Sequence, residues 1–109
     1  MGTQGLVSIE SQIVERVLAV GRPERVVLFG SRARGDSRSK SDFDLLIIGP
    51  SDKPRYARAG VYYRSLATLP AEVDVMVYTP EEVEEWKNVR EAFVTTALRE
   101  GVVLYERAR

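Results

Sequence analysis

The stretch from Leu28 to Gly49, LFGSRARGDSRSKSDFDLLIIG, holds the residues best suited to chemistry. Two apolar runs are broken there, first by Gly30-Ser31 and then by Asp42 and Asp44. Aspartate is a poor strand former, and neighbouring carboxylates repel one another unless a cation joins them. Alternate side chains of a strand share a face, so Asp42 and Asp44 are expected on one face with Leu46 and Ile48. Their Cα atoms would then lie roughly 7 Å apart. Carboxylates at that spacing can lean onto one cation, or bracket the ions held roughly 3.5–4 Å apart in two-metal phosphoryl-transfer sites. A third carboxylate, Asp74, interrupts the apolar run EVDVMVY, and if the two strands are neighbours the three acids form a nest. A single aspartate at a strand start is usually a turn or cap residue. Three of them in strands, with Gly-Ser upstream, argue against that plain reading for the group.

Gly30-Ser31 lies where a strand runs into a polar turn. Glycine permits close backbone approach, free N–H groups there suit a phosphate, and the serine hydroxyl adds a donor. The segment GSRARGDS has the spacing of a P-loop, but Asp36 stands where the phosphate-binding lysine belongs, so a P-loop is rejected. Arg32, Arg34, Arg38 and Lys40 ring the loop. Singly they read as a solvated basic turn; beside three acids they can offset triphosphate charge, with Arg32 and Arg34 nearest Gly-Ser. The chain has no His and no Cys. Imidazole or thiolate zinc sites and His-based triads are therefore excluded, and a metal would have to be an oxygen-ligated Mg²⁺, Mn²⁺ or Ca²⁺.

The elements that must position these residues follow from the pattern around them. SIESQIVERVLAVG has the apolar spacing of an amphipathic helix, with Ser8 to cap it and Gly21 to end it. RVVLF and DFDLLII read as buried strands, joined by a polar turn with room for one or two helical turns at most. A helix is expected from about Tyr56 to Leu69, although Gly60 weakens its start. EVDVMVYT is a third strand. Thr79-Pro80-Glu81-Glu82 is a capping box that starts a helix through Trp86. A further helix is expected from about Val89 to Glu100, ending at Gly101, with VVLY a short final strand. Tyr56, Tyr62, Tyr63 and Trp86 are read as helix core or rim residues. The order implies an α/β fold with a small mixed sheet flanked by helices.

At 109 residues, 44% hydrophobic and 29% charged, the chain is expected to form a single domain over residues 1–109. Sixteen basic and sixteen acidic side chains cancel, so bulk charge points neither to nucleic acid nor to a membrane surface. No apolar run reaches the ~18 residues of a membrane span, and the N-terminus lacks a signal-peptide pattern. A cytoplasmic location is the expectation.

The combined motif, Gly30-Ser31 followed by Asp42-Phe43-Asp44, resembles the signature of the minimal nucleotidyltransferases of the DNA polymerase beta superfamily. The resemblance extends over nearly the whole chain, and Asp74 falls where that family places its third carboxylate. It implies the nucleotidyltransferase fold and a reaction in which an acceptor oxygen attacks the α-phosphorus of ATP in line as pyrophosphate leaves. It also implies roles: Gly30 and Ser31 on the outer phosphates, beside the nucleotide-binding pair Arg32 and Arg34 read from the loop itself; Asp42, Asp44 and Asp74 as catalytic metal ligands for two Mg²⁺ ions, with Mn²⁺ a substitute. Minimal members of this kind are antitoxin partners of helical HEPN-domain toxins, and some transfer AMP onto a toxin tyrosine. The expected activity is thus Mg²⁺-dependent AMP transfer to a hydroxyl of such a partner. Two alternatives stay open: a binding antitoxin that blocks its partner sterically, and a transferase for a small-molecule acceptor.

Overall fold

The computed structural model describes residues 8–30 and 42–108. Runs rich in valine, leucine, isoleucine and aromatics form four strands: β1 (Arg25–Phe29), β2 (Phe43–Ile48), β3 (Val73–Tyr78) and β4 (Val102–Glu106). They make one mixed sheet in the order β3-β2-β1-β4. β1 is antiparallel to both β2 and β4, whereas β2 and β3 are parallel. Parallel neighbours need a crossover. Residues 49–72 supply it, carrying a 3₁₀ turn (Arg55–Ala57) and helix α2 (Gly60–Leu66).

The helices cover both faces. Helix α1 (Ile9–Val20) and α2 place Ile13, Val17, Tyr62 and Leu66 against the β-strand residues Val26, Leu28, Leu45, Ile47, Val75 and Val77. On the opposite face, α4 (Phe93–Glu100) packs Val94 and Ala97 onto Val27, Leu46, Ile48 and Tyr78. β2 is therefore covered on both sides, which is why LLII is a continuous apolar run with no alternation. Among the described residues no helix is long and apolar enough to cross a membrane.

The helix signals act as local chemistry requires. Ser8 Oγ accepts the Ser11 N–H at 3.1 Å at the start of α1, and the Gly21 N–H donates to the Val17 carbonyl at its end. Helix α3 (Pro80–Trp86) opens on the expected capping box: Thr79 Oγ1 accepts from the Glu82 N–H, and the Glu82 carboxylate accepts from the Thr79 N–H at 2.9 Å.

Two expected helices are shorter than the apolar spacing suggests. The one foreseen from Tyr56 to Leu69 is split, with a 3₁₀ turn ahead of Gly60 and a last α-helical residue at Leu66. The break falls at Arg58, whose guanidinium is tied to the Lys53 and Val77 carbonyls and to Glu82. The helix foreseen from Val89 begins at Phe93. Residues 87–92 form turns instead, and the first turn of α4 bonds back across them, Thr95 Oγ1 donating at 2.7 Å to the carbonyl of Trp86, the last residue of α3, and Thr96 Oγ1 to that of Arg90.

Helix α4 passes directly into β4 through Gly101. A Cβ at Gly101 would lie 2.8 Å from the Leu28 carbonyl oxygen and closer still to the Val27 side chain. Only a residue without a side chain lets the helix end press against β1 there.

Candidate functional site

Because β2 and β3 are parallel, their N-terminal ends lie side by side, with Asp44 in register with Asp74. The antiparallel β1 brings its C-terminal end to the same edge of the sheet, with Phe29 in register with Asp44 and Gly30 next in the chain. Three of the sequence-predicted residues, Gly30, Asp44 and Asp74, are thus gathered by strand direction alone. Asp42 stands one residue before β2 and is exposed. Ser31, Arg32 and Arg34 lie outside the described residues, as do Arg38, Lys40 and the expected turn between the two strands.

Gly30 has φ +80°, a backbone conformation that side chains disfavour. A methyl group there would also overlap the Asp44 carboxylate. The glycine therefore serves two ends: it turns the chain out of β1, and it lets backbone approach the acid directly. The residue read as phosphate-binding and a residue read as metal-binding are in contact.

Asp44 is half-buried, while Asp74 and Asp42 are exposed. Burial pushes the Asp44 carboxyl above its ordinary pKa, and the charges of Asp74 and then Asp42 push it the same way. All three influences favour neutralising this group. Among the described residues, however, no three acidic side chains converge into a ready-made metal cage. Asp44 feels the charge of both neighbours, although the three do not close on a common point. Their chemistry fits an oxygen-ligated divalent cation: a partly buried carboxylate flanked by two exposed ones, all oxygen donors, with a glycine leaving space alongside.

Aromatic residues flank this edge in a way the sequence did not single out. Phe93, first residue of α4, meets the Phe29 ring edge-on at a centroid distance of 5.2 Å and lies 6.3 Å from Tyr78. It divides the sheet face into two recesses. One, about 130 Å³, reaches Gly30 and is bounded by Phe29, Thr96 and Glu100. The other, about 160 Å³, lies over Tyr78 and is bounded by Arg55 and Trp86. The apolar spacing of Phe93, Val94 and Ala97 was the available signal, and it announces a helix face without saying which strand end the helix reaches. Trp86 is half-exposed at the rim of the second recess, Tyr62 is core, and Tyr56 is exposed.

Arg55 and Arg58 organise the side of that recess. The Arg55 guanidinium lies 4.5 Å above the Tyr78 ring and pairs with Glu82 at 3.4 Å. Arg58 grips both Glu82 oxygens, at 2.7 and 3.1 Å. The Arg58 hydrogen bond, above all, holds the Glu82 carboxyl at about 2, against the opposing effect of burial; the Thr79 N–H and the charges of Arg58 and Arg55 add to it. One glutamate therefore caps α3 and fastens the crossover to it.

The chain is similar to known proteins in sequence and in fold. Residues 10–103 match the model of the nucleotidyltransferase domain family. A Methanocaldococcus jannaschii protein provisionally named a protein adenylyltransferase is 38% identical over 88 residues, covering 78% of this chain and 81% of its own. A chain in the crystal structure of a toxin–antitoxin with AMP-PNP superposes with a TM-score of 0.64 at 18% identity, over 92% of this chain and 75% of that one. A chain from the complex of tri-AMPylated Shewanella oneidensis HEPN toxin with MNT antitoxin gives 0.55 at 17%, over 90% of this chain and 70% of that one. The two structures speak for the fold alone; the family match and the archaeal relative speak for descent. With its strand ends, Gly30 turn and paired aspartates arranged as described, the chain belongs to the nucleotidyltransferase domain family.

Proposed function

We propose that this nucleotidyltransferase transfers AMP from ATP to a tyrosine hydroxyl of a separate helical protein of the HEPN toxin class, and that it acts as the antitoxin of that protein with Mg²⁺ as its metal. The observation that carries the proposal is the parallel register of Asp44 with Asp74, with Gly30 against Asp44. The archaeal relative's name and the complexes formed by structural neighbours support the choice of acceptor.

The tasks of the residues are proposed as follows. Gly30 and Ser31, with Arg32 and Arg34, take the outer phosphates, and Gly30 leaves them space beside the acids. Asp42 and Asp44 would hold the nucleotide's Mg²⁺, and Asp74, exposed on the neighbouring strand, would serve the acceptor side with Asp44. When bound, Mg²⁺ neutralises triphosphate charge and makes the acceptor hydroxyl easier to deprotonate. The acceptor oxygen forms a bond to the α-phosphorus, the bond from that phosphorus to the β-bridging oxygen breaks, and pyrophosphate leaves with the electron pair. Asp74 takes up the hydroxyl proton as that bond forms. No covalent enzyme intermediate is needed, so the absence of His and Cys is no obstacle.

The test combines the purified chain, Mg²⁺-ATP and the helical protein encoded beside it, followed by intact-mass measurement. AMP additions on the partner are expected, and their loss when tyrosine is changed to phenylalanine identifies the acceptor. No addition with Mg²⁺ or Mn²⁺, despite verified ATP binding, would overturn the proposal. If a chain with Asp42→Asn and Asp44→Asn still neutralises the partner fully, steric blocking is the mechanism instead.

A further inference from the structure

The face of the sheet that carries the acids also carries a track of open side chains. Alternate residues of β3 share a face, so Asp74, Met76 and Tyr78 point the same way, roughly 13 Å from first to last at strand rise. Met76 is 38% exposed, which leaves the floor between the acid and Tyr78 open. At the far end of this track lies the recess over Tyr78, about 160 Å³. Phe93, one of its walls, also meets the ring of Phe29, the residue in register with Asp44, so the recess reaches back toward the acids. Two large aromatic residues, Trp86 and Phe93, line it while each stays 41% exposed. The Arg55 guanidinium borders it, held over the Tyr78 ring and against Glu82. The companion recess at Gly30 is bounded by the Glu100 carboxylate, whereas no acid lines the one over Tyr78.

We infer that this recess seats the base of the nucleotide as a purine-selective stacking site, built from Trp86 and Phe93 beside the Arg55 guanidinium. The inference rests on the proposed AMP transfer and adds how the base is recognised. With the outer phosphates at Gly30 and the α-phosphorus at the acids, the base must lie one ribose beyond them, on the side of the sheet face where this recess opens. Aromatic rings and a guanidinium plane are surfaces on which bases stack. Two rings in one recess reward a wide base, so a purine is held more tightly than a pyrimidine. The side chains of Arg55 and Trp86 only donate hydrogen bonds, and among the lining side chains the Tyr78 hydroxyl alone can accept one. Donors suit the ring nitrogens that adenine and guanine share. A single rotatable hydroxyl reads their differing exocyclic groups poorly. The recess therefore selects ring size and tolerates either purine, so GTP competes with ATP.

Trp86 is the single tryptophan of the chain, so its fluorescence reports on the recess directly. The test titrates the full chain with the Mg²⁺ complexes of ATP, GTP, CTP and inorganic tripolyphosphate, with calorimetry as an independent measure of binding. ATP and GTP are expected to quench Trp86 with affinities within about threefold of each other, and CTP to bind at least about tenfold more weakly. Tripolyphosphate should bind without quenching. Phe93→Ala, checked for folding by circular dichroism, should weaken ATP at least about tenfold and leave tripolyphosphate unchanged. Should that variant not fold, Trp86→Leu gives the same comparison by calorimetry. ATP that binds without moving Trp86 fluorescence, as would follow if the recess anchored an aromatic side chain of the partner, overturns this inference and leaves AMP transfer standing. A chain that binds no ATP overturns both. CTP held as tightly as ATP, GTP held far more weakly, or equal loss of ATP and tripolyphosphate in Phe93→Ala also overturns the inference.

Discussion

At the scale of single residues, Asp44 is the most informative. Its carboxyl is partly buried and faces two like charges, so its ionised form costs the metal-free fold something. Asp44→Asn removes that repulsion with little change of shape. In the absence of divalent metal this variant is expected to be at least as stable as the unsubstituted chain, by up to about 1 kcal/mol, in a denaturant titration. The same substitution should cut nucleotidyl transfer by about 100-fold or more in a single-turnover assay. A destabilised variant would show that Asp44 is held by structure and not kept for chemistry. The carboxylates were legible because their residue type contradicts the strand pattern around them. Gly30 was legible as a turn, but its contact with Asp44 was not, since only the antiparallel return of β1 creates it. Phe93 was hidden for a different reason. A phenylalanine in an amphipathic helix announces burial, and it in fact stands half-exposed between two recesses.

At the scale of elements, Glu82 ties three pieces together: the start of α3, the 3₁₀ turn through Arg55, and the crossover through Arg58. Its folded pKa of about 2 lies below the ordinary 4.5. Between those values the unfolded chain binds the extra proton, so stability rises with pH across the window. The contribution is complete above about pH 4.5 and is lost as pH falls toward 2. Glu82→Gln is expected to lower stability at pH 7 by about 2 kcal/mol and to flatten the acid limb in urea titrations at stepped pH. An unchanged acid limb would contradict the assigned role. The capping box itself was plain in the sequence, because Thr-Pro-Glu-Glu encodes it within four residues. The helix breaks were not, because they depend on Arg58 and Thr95 reaching distant carbonyls that no local spacing reveals.

For the molecule as a whole, strand order and direction could be narrowed by sequence to a small mixed sheet, and the remaining choice is what builds the site. Had β2 and β3 been antiparallel, Asp44 and Asp74 would stand at opposite ends. Since the metal-free sheet edge carries clustered negative charge, Mg²⁺ should bind the folded chain in preference to the unfolded one. A rise in thermal midpoint with added Mg²⁺ is expected for the unsubstituted chain and should be absent in Asp44→Asn; equal shifts in both would place the ion elsewhere.

The crossover of residues 49–72 has a bearing on how the chain reaches this state. The β1–β2 hairpin connects strands separated by residues 30–42, whereas β3 must close a longer loop before it can add its parallel ladder. Loop closure is slower and entropically dearer as the separation grows. The step that adds β3 to the sheet is also the step that brings Asp74 beside Asp44. That parallel ladder thus forms against the repulsion between two acids, and divalent cations are expected to ease its formation.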